Sequence, residues 1–153
     1  MKKIQLTRGQ VALVDDEDFE YLNQWLWTAQ PNGSNYYALR YKHIWMHRVI
    51  MKTPKGMYTD HINHNGLDNR KANLRICSRS QNLRNQKLSK NNTSGYKGVH
   101  WKKNQRKWLS KISLNGTQLV LGLFTAKKEA AKVYNEAAKK YYGAFAYQNK
   151  IEE

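Results

Sequence analysis

Cysteine, acidic residues and long apolar runs are all scarce in this sequence, and each shortage closes off a class of protein. Cys77 is the single cysteine among 153 residues, so no internal disulfide can staple the chain and no CxxC pair can seat a zinc ion. The opening Met-Lys-Lys-Ile-Gln-Leu-Thr-Arg lacks the apolar stretch of a signal peptide. No apolar run approaches the roughly 18–20 residues needed to cross a bilayer, so a soluble intracellular protein without a membrane partner is expected. Acids are the most telling shortage: 11 Asp and Glu stand against 27 Lys and Arg, a formal net charge of +16.

The surplus is unevenly spread. Residues 1–50 hold six bases and five acids, residues 51–90 nine and two, and residues 91–153 twelve and four. Charge serving only solubility has no reason to gather after residue 50, whereas a surface that binds a polyanion does. Nucleic acid is therefore the expected partner. In other respects the composition is ordinary, 40% hydrophobic and 25% charged, which suits a globular chain of one large or two small domains.

Read along the chain, residues 3–6 and 10–14 flank Thr7-Arg8-Gly9 as a hairpin. Asp15-Asp16-Glu17-Asp18 reads as a solvated helix entry, its acids suited to the positive end of the helix dipole. Phe19, Leu22 and Leu26 follow at helical spacing. Residues 31–35 are a loop by composition, 36–41 a strand and 43–51 a helical apolar stretch, with the aromatics of this part, including Trp25 and Trp27, read as core. From 58 to 86 the chain turns rich in Asn and Arg and poor in bulky apolar residues, so it must hold its shape with side-chain hydrogen bonds or a ligand. A polar seam, Asn91-Asn92-Thr93-Ser94-Gly95, is the expected linker between domains spanning 1–90 and 91–153.

Beyond the seam, residues 96–102 read as a strand. Residues 107–114 alternate, with Trp108, Ile112 and Leu114 on one face and Leu109, Lys111 and Ser113 on the other. Asn115-Gly116 is a two-residue hairpin turn, after which 117–124 returns. Thr125 is the expected cap of a helix from 126 to about 142, closed by Gly143. Its apolar stripe is Ala130, Val133, Tyr134, Ala137 and Tyr141. The fold class is α+β.

The chemistry lies in Tyr58-Thr59-Asp60-His61-Ile62-Asn63, then Leu67-Asp68-Asn69-Arg70, Asn73-Leu74-Arg75 and Ser80-Gln81-Asn82-Leu83-Arg84-Asn85. Hydrolysing a phosphodiester needs a base for water, a cation for the charge developing on the leaving oxygen, and a group that fixes the imidazole's tautomer. An imidazole, a carboxylate and several amides supply those types here. On a regular strand Asp60 and His61 point to opposite faces, so the carboxylate can ligate from one side while the ring aims elsewhere. Arg70, Arg75 and Arg84 are candidates to clamp phosphates.

This pattern resembles the HNH endonuclease family in its Asn-ending form, common among phage and intron-encoded homing endonucleases. The resemblance covers about residues 44–86, from Met46-His47-Arg48 onward, and implies a ββα-metal module of two strands and a helix around one divalent ion. It implies Asp60 as first metal ligand, His61 as general base, Asn73 as the amide that orients His61, and Asn82 as second metal ligand. Asn85 is then a structural or phosphate-contacting amide. His47 packs behind the site, and His43 and His64 are surface residues. One Mg²⁺ or Mn²⁺ per active site is implied, and no zinc.

The second unit resembles the AP2 DNA-binding domain over about residues 93–149, through Ser94-Gly95-Tyr96-Lys97-Gly98-Val99-His100, Trp108, Gly122, Phe124 and the helix that follows. Members lay a three-stranded antiparallel sheet in the major groove with the helix behind it. On that template Lys97, His100, Lys102, Lys111, Ser113 and Gln118 face DNA, joined by Val120, with Trp108, Ile112, Leu121 and Phe124 as core. The family's arginines are replaced, and Lys offers a point charge where Arg grips guanine with two parallel bonds. Phosphate contact should therefore count for more than base reading. The implied protein is a homing-type DNA nickase, a monomer or weak dimer acting on double-stranded DNA in a bacterial host and encoded by a phage or mobile element. The main rival is a DNA-binding transcriptional regulator whose nuclease scaffold is inactive; an RNA-binding protein ranks last, for want of aromatics at RNA-reading spacing.

Overall fold

Ile4, Ala12 and Val14 are the inward residues of two short strands, and burying them starts the fold. In the computed structural model, which describes residues 1–89 and 91–151, β1 (Lys2–Gln5) and β2 (Val11–Val14) pair antiparallel around the turn at Thr7–Gly9. The chain forms two units, Met1–Asn82 and Leu83–Glu153. Their boundary falls inside a helix rather than at the polar seam.

In the first unit α1 (Asp16–Asn23) follows β2 and buries Leu22. The helix stops at Asn23, so Leu26, expected on its apolar face, lies past the last turn and is 97% exposed. Trp27 is core, its indole N–H bonded to the Leu22 carbonyl at 2.9 Å. Trp25 is exposed instead, with the Arg40 guanidinium 4.1 Å over its ring. β3 (Thr28–Asn32) and β4 (Asn35–Arg40) pair down to Asn32↔Asn35, leaving a turn of Gly33 and Ser34 where a longer loop was expected. β5 (Ile44–Trp45) adds to β4, and α2 (Met46–Ile50) buries Met46. One core joins Ile4, Val14, Leu22, Trp27, Met46 and Leu74. Against it stand β6 (Tyr58–His61) and β7 (Leu74–Cys77), an antiparallel pair followed by α3 (Arg79–Asn85). A capping box starts α3: Gln81 N–H donates to Ser78 Oγ at 3.2 Å, and Ser78 N–H donates to Gln81 Oε1 at 2.8 Å.

In the second unit the seam is knitted rather than loose. Asn92 Oδ1 accepts from Gly95 N–H at 2.7 Å, and the Ser94 hydroxyl donates to the Tyr96 carbonyl at 2.9 Å. β8 (Val99–Lys102), β9 (Lys107–Leu114) and β10 (Thr117–Phe124) make an antiparallel sheet in the order β10-β9-β8. The turn between β9 and β10 is Asn115-Gly116, both at positive φ as a primed hairpin turn requires. α4 (Lys127–Tyr142) packs on the sheet through Ala130, Ala131, Tyr134, Ala137, Ala138 and Tyr142. Val133 is only half-buried and Tyr141 exposed, so the stripe is rotated from the expected one. Ala126 rather than Thr125 occupies the N-cap position, without a side-chain cap bond. Gly98 lets β8 close on the helix: its φ is +76°, and a Cβ there would lie 2.0 Å from the Tyr134 ring. Among the described residues no helix is long and apolar enough to cross a membrane.

Candidate active site

Strand register decides what Asp60 meets. Asp60 pairs with Arg75 and His61 with Leu74 across β6 and β7. Two nitrogens of Arg75, Nε and a terminal one, donate to the same Asp60 oxygen, Oδ2, at 2.8 and 2.6 Å. The carboxylate is buried, and a carboxylate stripped of water needs a counter-charge held by hydrogen bonds. Arg75 was expected to clamp phosphate; its fork is committed to Asp60 for that reason.

His61 sits buried among rings. Tyr37 meets it edge-on at 5.6 Å and His47 at 5.1 Å, while His47 stacks on Trp45 at 6.0 Å. Burial pushes the His61 imidazole below its ordinary value, against the pull of the Asn69 hydrogen bond and the charges of Asp60 and Asp68. His47 is driven down to about 3 by burial, then by His61 and Arg48. Both rings are therefore largely neutral at pH 7, the state a proton acceptor requires.

The amide beside the His61 ring is Asn69, whose Oδ1 lies 3.2 Å from Nε2. Asn73, expected in that place, works on the loop instead. Its Nδ2 donates to the Asp68 carbonyl at 2.8 Å, its Oδ1 accepts from Asn63 N–H at 3.0 Å, and its own carbonyl accepts from Ile62 N–H at 2.9 Å. It thereby ties together both ends of the segment that leaves His61.

More amides and one carboxylate complete the loop. Asp68 takes a forked pair of bonds from Arg70, both 2.7 Å, and a third from Asn63 Nδ2 at 2.9 Å. The Arg70 bonds hold its carboxyl below the usual carboxylate range. Remote strands fix the path of the loop. β2 brackets it through Leu13, whose N–H donates to the Leu67 carbonyl and whose carbonyl accepts from Asn69 N–H, each at 2.8 Å. Asn35, opening β4, accepts from Gly66 N–H at 3.3 Å and donates to the His64 carbonyl at 2.9 Å. Gly66 has no room for a side chain, since a Cβ would come 2.4 Å from the Tyr36 carbonyl oxygen. The acids opening α1 serve this region too: Asp15 accepts from Lys71 N–H at 2.7 Å, and the Lys71 ammonium pairs with Glu17 and Asp18.

Comparison with known proteins assigns part of the chain to a family. Residues 40–84 match the family model of the HNH endonuclease. An HNH endonuclease domain is present in this chain. Across 95% of its length the chain is also 29% identical to an uncharacterized HNH endonuclease of Acanthamoeba polyphaga mimivirus, 78% of which is covered. Over 65 residues, 42% of the chain, it is 42% identical to Protein 3.8 of Escherichia phage T7. The match spans about half, 54%, of that phage protein. No solved structure matches.

Two side chains singled out in the HNH domain offer oxygen donors to a metal. Among the described residues no group of three or more His, Cys, Asp or Glu comes together. The Asp60 carboxylate and the Asn82 amide are hard donors of the kind Mg²⁺ takes, an ion that uses one or two carboxylates and fills its shell with water and phosphate. Asn82 is half-buried on α3, its N–H bonded to the Ser78 carbonyl at 3.0 Å.

The remaining expected contacts divide in two. In the second unit the register places His100, Lys102, Lys111, Ser113 and Gln118 on one sheet face, with Val120, opposite the residues that pack on α4. Lys97 departs from that set. It precedes β8, and its ammonium donates to the carbonyls of Leu83, Arg84 and Gln86 at 3.4, 2.8 and 2.7 Å, closing the end of α3. Burial pushes it down to about 8. The Arg84 guanidinium lies 4.6 Å over the Tyr142 ring, and Asn85 is buried. Asn63, Asp68 and Asn69 went unassigned in the sequence; the density of amides between 58 and 86 was the only signal pointing to them.

Proposed function

We propose that the protein is a metal-dependent DNA endonuclease of the homing type, nicking one strand with its HNH domain while the second unit grips duplex DNA. One observation above all supports the reading: a buried His61 ends β6 next to Asp60, in a loop laced by amides. His61 takes a proton from water. The hydroxide so formed attacks phosphorus, the bond to the 3′ oxygen breaks with its electron pair leaving on that oxygen, and the oxygen takes a proton from solvent water, giving 5′ phosphate and 3′ hydroxyl ends. A divalent ion, Mg²⁺ or Mn²⁺, held by Asp60 and Asn82, would supply stabilisation for the negative charge on the phosphate and the departing oxygen. Arg75 holds the Asp60 carboxylate in place through two hydrogen bonds, and Asn73 keeps the loop from shifting under the base.

One such centre cuts one strand, so a monomer nicks and a double-strand break takes a dimer or two successive cuts. The sheet face of His100, Lys102, Lys111, Ser113 and Gln118 would hold DNA in the manner of an AP2 domain, with lysines favouring phosphate over base edges. The viral and phage origin of the two relatives favours a protein encoded by a phage or mobile element. Supercoiled plasmid tests the proposal. The purified chain should convert it to the nicked circle with Mg²⁺ and not with EDTA, and plasmid left intact under both conditions would overturn it.

A further inference from the structure

We infer that Asn69 is a positioning residue for the HNH site: its carbonyl oxygen fixes His61 in the tautomer protonated at Nε2, making Nδ1 the nitrogen that receives the water proton. This rests on the reading of His61 as the base, and it deepens that reading by naming the reacting atom and the group that selects it.

Three observations carry the inference. Asn69 Oδ1 stands 3.2 Å from His61 Nε2. An amide oxygen only accepts, and a neutral imidazole carries one N–H, so this contact puts the proton on Nε2 and the lone pair on Nδ1. Next, Asn69 is fully buried and its backbone is pinned to β2 through Leu13 on either side of Asp68, so the oxygen is held by the core rather than by a mobile loop. Last, Asn69 Nδ2 is buried without a hydrogen-bond partner among the described residues. Here one end is left unmade while the other is kept on the imidazole. The same oxygen also suits the step that follows, because Nε2–H still donates to it once Nδ1 has gained a proton and the ring has become cationic. Turning the amide over would place Nδ2 on the ring, strand the oxygen and require the opposite tautomer, so the two arrangements differ in an observable way.

Long-range proton–nitrogen correlation spectra of the full-length ¹⁵N-labelled protein at neutral pH read that difference directly. The wild-type His61 should show a protonated Nε2 and an unprotonated Nδ1. Asn69→Leu, which removes the acceptor, should leave a mixture of tautomers. It should also lower kcat for plasmid nicking at least roughly 100-fold, the lower end of what a positioned base contributes, with KM for DNA little changed. Asn69→Asp, which keeps an acceptor oxygen in place, should retain the Nε2–H form. A wild-type ring protonated at Nδ1, or an Asn69→Leu ring still wholly in the Nε2–H form, would overturn the inference. The wild-type spectrum decides the tautomer even if Asn69→Leu misfolds. An Nε2–H ring in a protein that leaves plasmid intact would uphold the Asn69 contact and overturn the hydrolase proposal instead.

Discussion

The two units carry positive charge in opposite ways. In the first, cationic side chains are turned onto partners of the same unit: Arg75 onto Asp60, Arg70 onto Asp68, Lys71 onto Glu17 and Asp18, and Arg48 onto the carbonyls of Thr53, Pro54 and Met57. In the second, Lys102, Lys107 and Lys111 share a sheet face with His100 while the apolar side packs on alanines of α4. Counting charge along the chain treats both alike. Where few apolar side chains are on hand, as between 58 and 86, guanidinium forks and amides hold the chain in place, and their charge is spent on partners within the unit. Where an alternating sheet and an alanine-faced helix supply the core, lysines remain on the open sheet face.

The largest test of this contrast is Arg75→Met. If Arg75 neutralises a buried Asp60, its loss should destabilise the first unit by about 3–5 kcal/mol, the usual consequence of orphaning a buried charge. Urea unfolding measures it. An Arg75 that served as an open phosphate clamp would shift stability by no more than about 0.5 kcal/mol.

Acid should separate the units next. The folded value of Asp68 lies below its unfolded one, chiefly through the Arg70 bonds. Its contribution to stability is therefore complete above the ordinary carboxylate range and is lost as pH falls through the lowered value. Below a pH of about 4, amides of residues 62–75 should lose hydrogen-exchange protection while those of β9 keep it, since the described acids of the second unit, Glu129 and Glu136, are exposed. Simultaneous loss in both would break the contrast.

The smallest effect on stability should come from the lysines. Lys102→Gln with Lys111→Gln should leave unfolding unchanged within about 0.5 kcal/mol and reduce the salt dependence of DNA binding by roughly 0.9 per lost phosphate contact. This pair is a cleaner probe than truncation near residue 93, because Lys97 also holds the end of α3. An unchanged salt slope would remove the sheet face from the DNA grip.

Much of this was legible in the sequence because its signals are local. Asn115-Gly116, the alternation of β9 and the acids opening α1 each declare themselves within a few residues. Asp60 and His61 stood out as an adjacent carboxylate and imidazole, and their expected roles came from the resemblance to HNH endonucleases. Their partners were not. Arg75 reaches Asp60 only because β6 and β7 pair in one register, and a shift of one residue would turn it away. Asn69 rather than Asn73 faces the ring because Leu13 and Asn35, far off in sequence, set the path of the loop. Leu26 and Thr125 failed at helix ends, where the last periodic residue and the cap depend on which turn the tertiary packing supports.

The central claim is that His61 removes the proton from water in a site whose DNA grip lies elsewhere. Nicking rate and DNA affinity, measured side by side on wild type and His61→Ala with Mg²⁺, test it most directly. The account expects the rate to fall by roughly 100-fold to 10,000-fold with affinity nearly intact. Equal cutting by the variant would contradict it.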